Sequence, residues 1–317
     1  MDGVQVAASG CVHGSLDFLY SELAVKEAQT GRKCDLLLCT GDFQAIRDQI
    51  DLETLSCPEK YRRMGDFWKY YVGMCEAPVL TVVIGGNHEA VGYMREMSLG
   101  GWLAPNILYL GEAGVVTIGS LRIAGLSGIY RHEDYSLPAL QPPLYGKKLK
   151  EGYAVKSYSV ANLMQVSGSV DLFLTHDWPQ HVAYKGDTDA LLQRKPFLQR
   201  DLGKMGNPYS QQIADRLQPK YWLASHMHVR WNAEIGNIHF RAIDKCLPGR
   251  GCLSFLTLPG HVATPLMDAN WASILSNTSI ESDLPYPSFG MIDLCSPHSY
   301  SQSPHLRSNP QAMSLPV

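Results

Sequence analysis

Short apolar runs that end in polar, ligand-type residues recur along the first 230 residues of the chain. The run 79–83 passes directly into the stretch 84–89, where two glycines precede Asn87, His88 and Glu89. Continuous apolar runs of this length are typical of strands buried on both faces, as in a parallel sheet covered by helices. The pattern therefore predicts an α/β fold with candidate functional residues at the strand ends.

Further apolar runs end in residue types that bind metals. Their ends carry Cys11 and His13 after the run 4–8, Asp42 after 35–39, His176 after 170–174, and His226 and His228 after 221–224. Ligands of open α/β sheets bind at the carboxyl ends of the strands, so we expect these ends to converge on one metal site. A lone histidine at a strand end is more often a hydrogen-bonded core residue, but a set of ends with this composition does not fit that explanation.

Between these runs the apolar spacing predicts helices and additional strands. Leu16, Leu19, Tyr20 and Leu23 recur at helical spacing, which predicts a helix over 16–28. The polar stretch 45–75 is expected to be mostly helical. Further strands are predicted at 108–110, 115–118, 121–126, 238–243 and 253–258.

The stretch 128–160 differs in composition from the rest of the chain. It holds several tyrosines and lysines with little apolar periodicity, and long loops of this kind are usually functional or disordered. Tyrosine rings stack on bases and ammonium groups meet phosphates. Candidate contacts to single-stranded nucleic acid are Tyr130, Tyr145, Lys147, Lys148 and Lys150. On composition alone, a merely structural loop remains the alternative.

Composition narrows the class of protein. A formal net charge of −3 and a pI near 6.4 exclude a generally basic nucleic-acid binder, so any such contact needs a local basic patch. The eight cysteines are scattered without a CxxC pair, which favours a reduced, intracellular protein. The chain has no apolar run near the roughly 20 residues that span a bilayer and no signal-peptide layout, so a soluble protein without membrane contact is expected.

The residue types at the strand ends suit a pair of divalent cations. A carboxylate such as Asp42 can bridge two ions, neutral imidazoles suit Zn, Fe and Mn, and the Asn87 amide is a weaker neutral ligand. His226 and His228 share one strand face by period-two spacing, and a turn between them would let each reach a different ion. His88 is interpreted as a non-ligand that binds or protonates the leaving oxygen, a role worth roughly 10²–10⁴ in rate. Glu89 is expected to support the ligands from behind.

The same residues carry a family resemblance. The matching segments, in order, are Gly41-Asp42, Gly86-Asn87-His88-Glu89, His176 and His226-Met227-His228. This pattern resembles the calcineurin-like metallophosphoesterase superfamily, which normally opens with Asp-x-His. Here the first segment is Cys11-Val12-His13. In this departure the chain resembles the RNA lariat debranching enzymes, which carry cysteine at that position.

Further stretches strengthen the resemblance to the debranching family. They are 41–45, 85–90, 100–102, 104–107, 127–129, 176–179 and 244–248. The resemblance covers about residues 1–260 and implies a metallophosphoesterase β-sandwich flanked by helices, with an inserted recognition loop and a small C-terminal extension. The expected parts are a catalytic domain at 1–235, a lariat recognition loop at 128–160 within it, an extension packed on it at 236–280, and a disordered tail at 281–317.

The resemblance also implies a reaction and its cofactors. It implies hydrolysis of the 2′,5′-phosphodiester at the branch point of excised intron lariats, in the nucleus, with branched RNA as the partner and a monomer favoured. Two divalent ions are expected, Fe2+, Zn2+ or Mn2+. By analogy, the first ion would be held by His13, Asp42 and His228, and the second by Asp42, Asn87, His176 and His226.

Alternatives stay open at this stage. Cys11 is either a soft thiolate ligand favouring Zn or Fe, or it only lines a weakly held first site. Another enzyme of the superfamily, such as a phosphomonoesterase or a nuclease, is separated from a debranching enzyme only by Cys11, the insertion and the stretch 100–102. A metal-poor binding scaffold is disfavoured, because only the first Asp of the pattern is replaced.

Overall fold

The strands of the computed structural model, which describes residues 3–278, form two packed sheets. Their bounds are β1 Val4–Ser9, β2 Leu36–Cys39, β3 Thr81–Val83, β4 Gly101–Ala104, β5 Ile107–Tyr109, β6 Ala113–Ile118, β7 Leu121–Leu126, β8 Leu172–Thr175, β9 Tyr221–Ala224, β10 Trp231–Ile235, β11 Ile238–Ala242, β12 Leu253–Leu258 and β13 Pro265–Met267. Within these residues one sheet has the order β12-β1-β2-β3-β5-β4 and the other β10-β11-β9-β8-β7-β6-β13.

The helices cover the outer faces and the connections. They are α1 Leu16–Thr30, α2 Gln49–Glu53, α3 Phe67–Tyr71, α4 Val91–Glu96, α5 Lys147–Glu151, α6 Ser157–Gln165, α7 Thr188–Arg194, α8 Ser210–Leu217 and α9 Ala269–Asn277, with 3-10 turns at Glu59–Tyr61, Val182–Lys185 and Pro196–Arg200. In the described part of the chain, no helix is long and apolar enough to cross a bilayer.

Alternation along the buried strands explains why two layers form. In β2, Leu36 and Leu38 pack into the core between the two sheets, while Leu37 packs with the helix side against residues such as Leu19 of α1. Successive side chains of a strand point to opposite faces, so an all-apolar strand has to be covered on both sides. The predicted β-sandwich flanked by helices is confirmed by this arrangement.

The central strands of each sheet run parallel. β1, β2, β3 and β5 pair in parallel in one sheet, and β7, β8, β9 and β11 pair in parallel in the other. Their carboxyl ends therefore lie at a common edge of each sheet. Antiparallel strands such as β12 and β13 close the outer positions.

Most predicted elements agree with the structure. The helix predicted over 16–28 is α1, and it buries Leu16, Leu19, Tyr20 and Leu23 as expected. The expectation of a mostly helical stretch at 45–75 is wrong, because only two five-residue helices and one 3-10 turn form there. Turns, and side-chain acceptors such as the Asp48 carboxylate, which accepts from the backbone amides of Ile50 and Asp51, satisfy the backbone in this stretch in place of regular helical bonds.

The stretch 128–160 is partly helical and is anchored to the domain. Leu140 and Leu149 bury themselves against Val91 of α4, and the stretch pairs back on itself through the isolated bridge between Ile129 and Ala154. Beyond residue 235, β11, β12 and β13 belong to the same two sheets as the preceding strands. The proposed domain boundaries stay predictions, and the predicted tail at 281–317 lies outside the described residues.

Candidate metal centre

Loops at the carboxyl ends of the parallel strands of both sheets meet in one place. A first group of donors consists of Cys11, His13, Asp42 and His228, whose ligand atoms all lie within 4.8 Å of one another. Nε2 of His13 lies 3.2 Å from Nε2 of His228 and 3.7 Å from Oδ2 of Asp42. Donors converging from β1, β2 and β9 therefore form a compact set suited to one cation.

A second group of donors lies on the other side of Asp42. Nε2 of His176 is 3.4 Å from Oδ1 of Asp42 and 3.1 Å from Oδ1 of Asn87. The ring of His226 lies 5.0 Å from the ring of His176, centroid to centroid. Asp42 thus has one carboxylate oxygen toward each group, as a ligand shared by two cations requires.

Backbone conformation at these donors is unusual. His13, Asp42, His226 and His228 all have positive φ, between 48° and 63°. Non-glycine residues adopt this region rarely, and they do so mainly where the surrounding structure holds a functional side chain in place. The left-handed turn after each strand is what aims these side chains at a common point.

The Asp42 carboxylate fits a cation on electrostatic grounds. Burial by itself would raise the pKa of Asp42, but the neighbouring His176 and His13 offset this and hold it well below its usual range. Within the described residues, Oδ2 of Asp42 is buried and has no hydrogen-bond partner. A buried carboxylate oxygen without a partner is costly unless a cation or donor occupies its lone pairs, so the residues present fit a bound metal.

The imidazoles of His13, His226 and His228 are set up as neutral ligands. Burial, reinforced by His176, lowers the pKa of His226 to about 3, and burial together with His13 lowers the pKa of His228 to about 4. Burial also lowers the pKa of His13. Neutral imidazole is the form that binds a metal, so these side chains need not lose a proton at neutral pH.

Cys11 differs from the histidines in its protonation. The thiol is buried, and burial, with the Asp42 charge adding to it, raises the pKa of Cys11 well above its usual range. A thiolate at this position therefore needs a cation close by. Its position among three other donors makes Cys11 a candidate ligand, while the choice between ligand and lining residue stays open.

Residues behind the donors fix their orientation. Nδ1 of His176 lies 2.7 Å from the Thr40 carbonyl oxygen and 3.1 Å from the Ser225 hydroxyl, which leaves Nε2 directed at Asp42. Such outer contacts set the tautomer and the direction of a ligand. Ser225 was not identified from the sequence. Its position directly before His226, at the end of β9, is the only sequence signal that could have found it.

Glu89 ties two donor loops together. Its carboxylate accepts hydrogen bonds from the backbone amides of Phe43 at 2.8 Å, Gln44 at 2.7 Å and Gly86 at 2.9 Å. Burial, followed by the charge of Asp42, raises the pKa of Glu89 to about 7. The expected supporting role agrees with this geometry, in which Glu89 joins the loop after β2 to the loop after β3.

Two glycines are required by the close approach of these loops. A Cβ on Gly86 would lie 2.2 Å from Oδ1 of Asp42, and a Cβ on Gly41 would lie 2.3 Å from Nδ1 of His176. Gly41 also has φ of +105°. Any side chain at either position would push a donor out of the centre.

His88 stands beside the first group without joining it. Its ring centroid lies 5.7 Å from that of His13, and Nδ1 lies 2.8 Å from the Ser56 carbonyl oxygen. Because a carbonyl only accepts, Nδ1 carries a proton, and Nε2 is the ring atom left to act on a substrate. The Ser56 contact has no sequence signature, since a main-chain carbonyl supplies it.

The predicted substrate contacts fall in two places. The backbone amide of Tyr130 donates to Asp177, the residue after His176, at 3.1 Å, so this tyrosine lies next to the centre. Its ring packs with Tyr135 and Tyr209, and the latter two rings stack at 4.3 Å. The structure thus adds Asp177 and Tyr209, neither of which was a predicted site residue.

The other predicted contacts lie on and around α5. Tyr145 is 70% exposed, Lys147 and Lys150 are exposed, and Lys148 pairs with Glu151 at 3.2 Å. Leu149 anchors this helix against α4, the helix that follows His88. The lysines therefore face solvent from an element packed close to the His88 loop.

The fold and donor set agree with comparisons to known proteins. The model of the calcineurin-like phosphoesterases matches residues 4–230. The chain is 40% identical to a lariat debranching enzyme of Arabidopsis thaliana, over 86% of this chain and 68% of that protein. The chain belongs to the lariat debranching enzyme family of calcineurin-like phosphoesterases. Membership confirms the family resemblance that the motifs carried.

Another lariat debranching enzyme matches this chain over only part of its own length. A lariat debranching enzyme of Danio rerio is 40% identical over 87% of this chain but only 51% of that protein. The chain therefore spans about half to two thirds of the length of these curated relatives. A solved crystal structure with TM-score 0.51 and 16% identity, covering 80% of this chain and 95% of that one, shares the phosphoesterase fold.

Proposed function

We propose that this chain hydrolyses the 2′,5′-phosphodiester at the branch point of lariat RNA. The observation that carries the proposal is the pair of donor groups that share Asp42, with Cys11 in the position where the wider superfamily has aspartate. The relatives named lariat debranching enzymes support this choice of substrate over other phosphoesters. The nucleus is the proposed place of action, because branched introns arise there, and a monomer is the proposed state.

Two divalent cations are proposed as cofactors, with Fe2+, Zn2+ and Mn2+ as candidates. Cys11, His13, Asp42 and His228 would hold the first ion, and Asp42, Asn87, His176 and His226 would hold the second. Bound cations supply Lewis-acid polarisation of a phosphate and activation of water. The protein contributes the fixed spacing of the donors and the shared carboxylate.

His88 is proposed as the residue that serves the leaving 2′ oxygen. The Ser56 carbonyl holds Nδ1 protonated, so a second proton on Nε2 would be the one delivered to the departing oxygen. The backbone amide of His88 donates a hydrogen bond to Oδ1 of Asp42 at 2.8 Å, and this bond fixes the His88 loop relative to the donors. General acid assistance of this kind contributes roughly 10²–10⁴ in rate.

The insertion is proposed to recognise the RNA around the branch. Tyr130, whose backbone amide donates to Asp177, would stack on a base close to the centre. Tyr145, Lys147, Lys148 and Lys150 would contact bases and phosphates further out. Rings for bases and ammonium groups for phosphates are the usual combination for single-stranded RNA.

A comparison of three substrates tests the proposal. The chain, purified without chelator and analysed for metal, is assayed on branched 2′,5′ RNA, linear 3′,5′ RNA and p-nitrophenyl phosphate. Preferential hydrolysis of the 2′,5′ linkage is expected, with activity lost on chelation. Equal turnover of all three would indicate a general phosphoesterase, and a preparation free of Mn, Fe and Zn despite correct folding would indicate a binding scaffold.

A further inference from the structure

A basic and aromatic surface on the His228 side of the centre has no role in the scheme above. It comprises Lys195, Phe197, Lys245 and Arg250, and is called here the His228 shelf. Phe197 is 65% exposed, although large aromatic side chains are ordinarily buried. Nζ of Lys195 lies 5.8 Å from the centroid of that ring. An exposed ring beside an ammonium group is a combination that suits nucleic acid.

Three hydrogen bonds bring the parts of the shelf to the edge of the first donor group. Nη2 of Arg250 donates to the carbonyl of His228 at 2.9 Å, and Nη1 of Arg194 donates to the carbonyl of Arg230 at 3.0 Å. The amide of Cys246, next to Lys245, donates to the carbonyl of Cys11 at 2.8 Å. The segments 194–197 and 245–250 are thereby fixed beside the residues that follow β1 and β9.

The shelf carries an excess of positive charge. Arg250 pairs with Asp244 at 2.7 Å, and that pair is electrically neutral. Among the described residues, neither Lys195 nor Lys245 has an ion-pair partner within 4.0 Å. Burial, and then the cation of Arg250, lowers the pKa of Lys195; Asp244 raises it in part, and Lys245 lowers it further. Like charges held together beside a phosphate-processing centre are stabilised when a polyanion lies between them.

This surface lies apart from the insertion. The lysines of α5 are anchored through Leu149 and Val91 to the helix after His88, whereas the shelf is bonded to the strand end carrying His228. The branch point of a lariat joins more than one RNA strand, and each strand leaving the centre needs its own path over the protein. The insertion provides a path for only one of these strands.

We propose that the His228 shelf binds a single-stranded RNA arm leaving the branch point on the His13–His228 side. Lys195 and Lys245 contact successive phosphates, and the Phe197 ring stacks on a base between them. The inference rests on the proposed function, because the arm belongs to the branched substrate. It assigns residues outside the insertion to substrate recognition.

Shelf variants and a matched control test the proposal. The variants are Lys195→Gln with Lys245→Gln, and Phe197→Ala alone. The control is Lys220→Gln, because Nζ of Lys220 also lies 5.8 Å from an aromatic ring, that of Tyr221, but at the beginning of β9 and not at its end. Binding is measured over a range of salt with RNA carrying a non-hydrolysable 2′ linkage, in forms with both arms, without the 2′ arm, and without the 3′ arm.

The expected result depends on one arm. The double variant should weaken binding and reduce the slope of log affinity against log salt by about 1.4, at about 0.7 per lost single-strand phosphate contact. Phe197→Ala should weaken binding about tenfold. Both effects should vanish with the RNA form that lacks the arm bound by the His228 shelf. Lys220→Gln should bind every RNA form as the unmodified chain does.

Other outcomes separate the two proposals. Effects that persist in both of the RNA forms that lack one arm, or a salt slope unchanged in the double variant, would overturn the shelf assignment. If the unmodified chain binds branched RNA but hydrolyses none, the proposed function fails. The arm dependence of binding then still tests whether the His228 shelf binds RNA. Equal melting temperatures of variants and control ensure that the comparison concerns binding.

Discussion

The backbone amide of His88 donates a hydrogen bond to Oδ1 of Asp42 at 2.8 Å. This bond joins the loop after β3 to the loop after β2. It therefore fixes His88, the proposed acid, relative to Asp42, the proposed bridging carboxylate. The other oxygen, Oδ2, has no hydrogen-bond partner within residues 3–278 and lies 3.7 Å from Nε2 of His13. The hydrogen bond therefore fixes the orientation of the Asp42 carboxylate, and Oδ2 is left free to bind a cation.

Substitution of Gly86 should disrupt this arrangement. In Gly86→Ala the new Cβ would lie 2.2 Å from Oδ1 of Asp42, and the carboxylate has to move. We expect a loss of about 1–3 kcal/mol in stability from overpacking and of about 10²-fold in hydrolysis from the displaced ligand. Metal content, melting temperature and turnover are the measurements.

Gly203→Ala is the control for Gly86→Ala. A Cβ at Gly203 would have only Tyr184 Oη nearby, at 3.5 Å, an ordinary contact. Normal metal content and turnover are expected for the control. Unaltered metal binding in Gly86→Ala would show that Asp42 does not need its observed position.

Removal of the His88 imidazole should affect the chemical step more than metal binding. His88→Ala keeps the amide that holds Asp42 but loses Nε2, so a fall of roughly 10²–10⁴ in kcat is expected with metal content maintained. His239→Ala, at an exposed histidine bonded to Glu234, is the control. A His88→Ala chain that loses its metal as well would assign the side chain to binding and not to proton transfer.

The identity of the first ion should depend on Cys11. Replacement of the thiol by a carboxylate in Cys11→Asp exchanges a soft donor for a hard one, so the bound metal should shift from Zn or Fe toward Mn. Elemental analysis after purification without chelator measures this, with Cys75→Asp, at a half-buried cysteine away from the donors, as control. An unchanged load and identity would speak against a ligand role.

The lysines of α5 should contribute electrostatically to RNA binding. Replacing Lys147, Lys148 and Lys150 by Ala should flatten the dependence of log affinity on log salt by up to about 2, at about 0.7 for each lost phosphate contact. Lys148 already pairs with Glu151, so its share should be the smallest. Alanines at Lys26 of α1 and at Lys33, three residues after its end, serve as controls. A slope that stays the same would remove α5 from the interface.

The carboxyl group of Glu112 should make stability depend on pH. Burial raises the pKa of Glu112, although the Tyr158 hydroxyl donates to it at 2.5 Å and lowers it in part. The folded state then holds the proton more tightly than the unfolded state. Stability from this group is fully present below the unfolded pKa, about 4.3, and is lost as pH rises through the folded pKa.

Glu112→Gln should remove this loss while keeping an acceptor for Tyr158. Urea unfolding at a series of pH values, with chelator present in all samples, measures the free energy of unfolding. The variant should gain stability relative to the unmodified chain as pH rises above about 4.3. A difference that is constant with pH would mean that Glu112 titrates normally.

Much of the centre could be predicted from the chain because its ligands follow buried strands. Apolar runs locate β1, β2, β3, β8 and β9, and parallel strands bring their carboxyl ends to a common edge. Stretches with weak apolar patterning were predicted less well. The stretch 45–75 forms only short helices, because side-chain caps and turns satisfy its backbone and no periodic apolar face exists to extend a helix.

Contacts made by backbone atoms and by distant surface residues could not be predicted. The Ser56 carbonyl at His88 and the Thr40 carbonyl at His176 have no side-chain signature, since any residue could supply them. Lys195 and Lys245 are separated by fifty positions and meet only through the packing of α7 and the segment after β11 around His228. Charge in a linear sequence does not reveal such convergence.

The sequence by itself determined the order of the ligand-type residues, their places after buried strands and the family to which they belong, because these depend on local patterns of polarity. Tertiary structure alone decided that Asp42 turns one oxygen to each donor group and that Cys11 joins the first. The left-handed turns at His13, Asp42, His226 and His228 set those directions. Such turns are held by the packing of two sheets and not by the residues' own preferences.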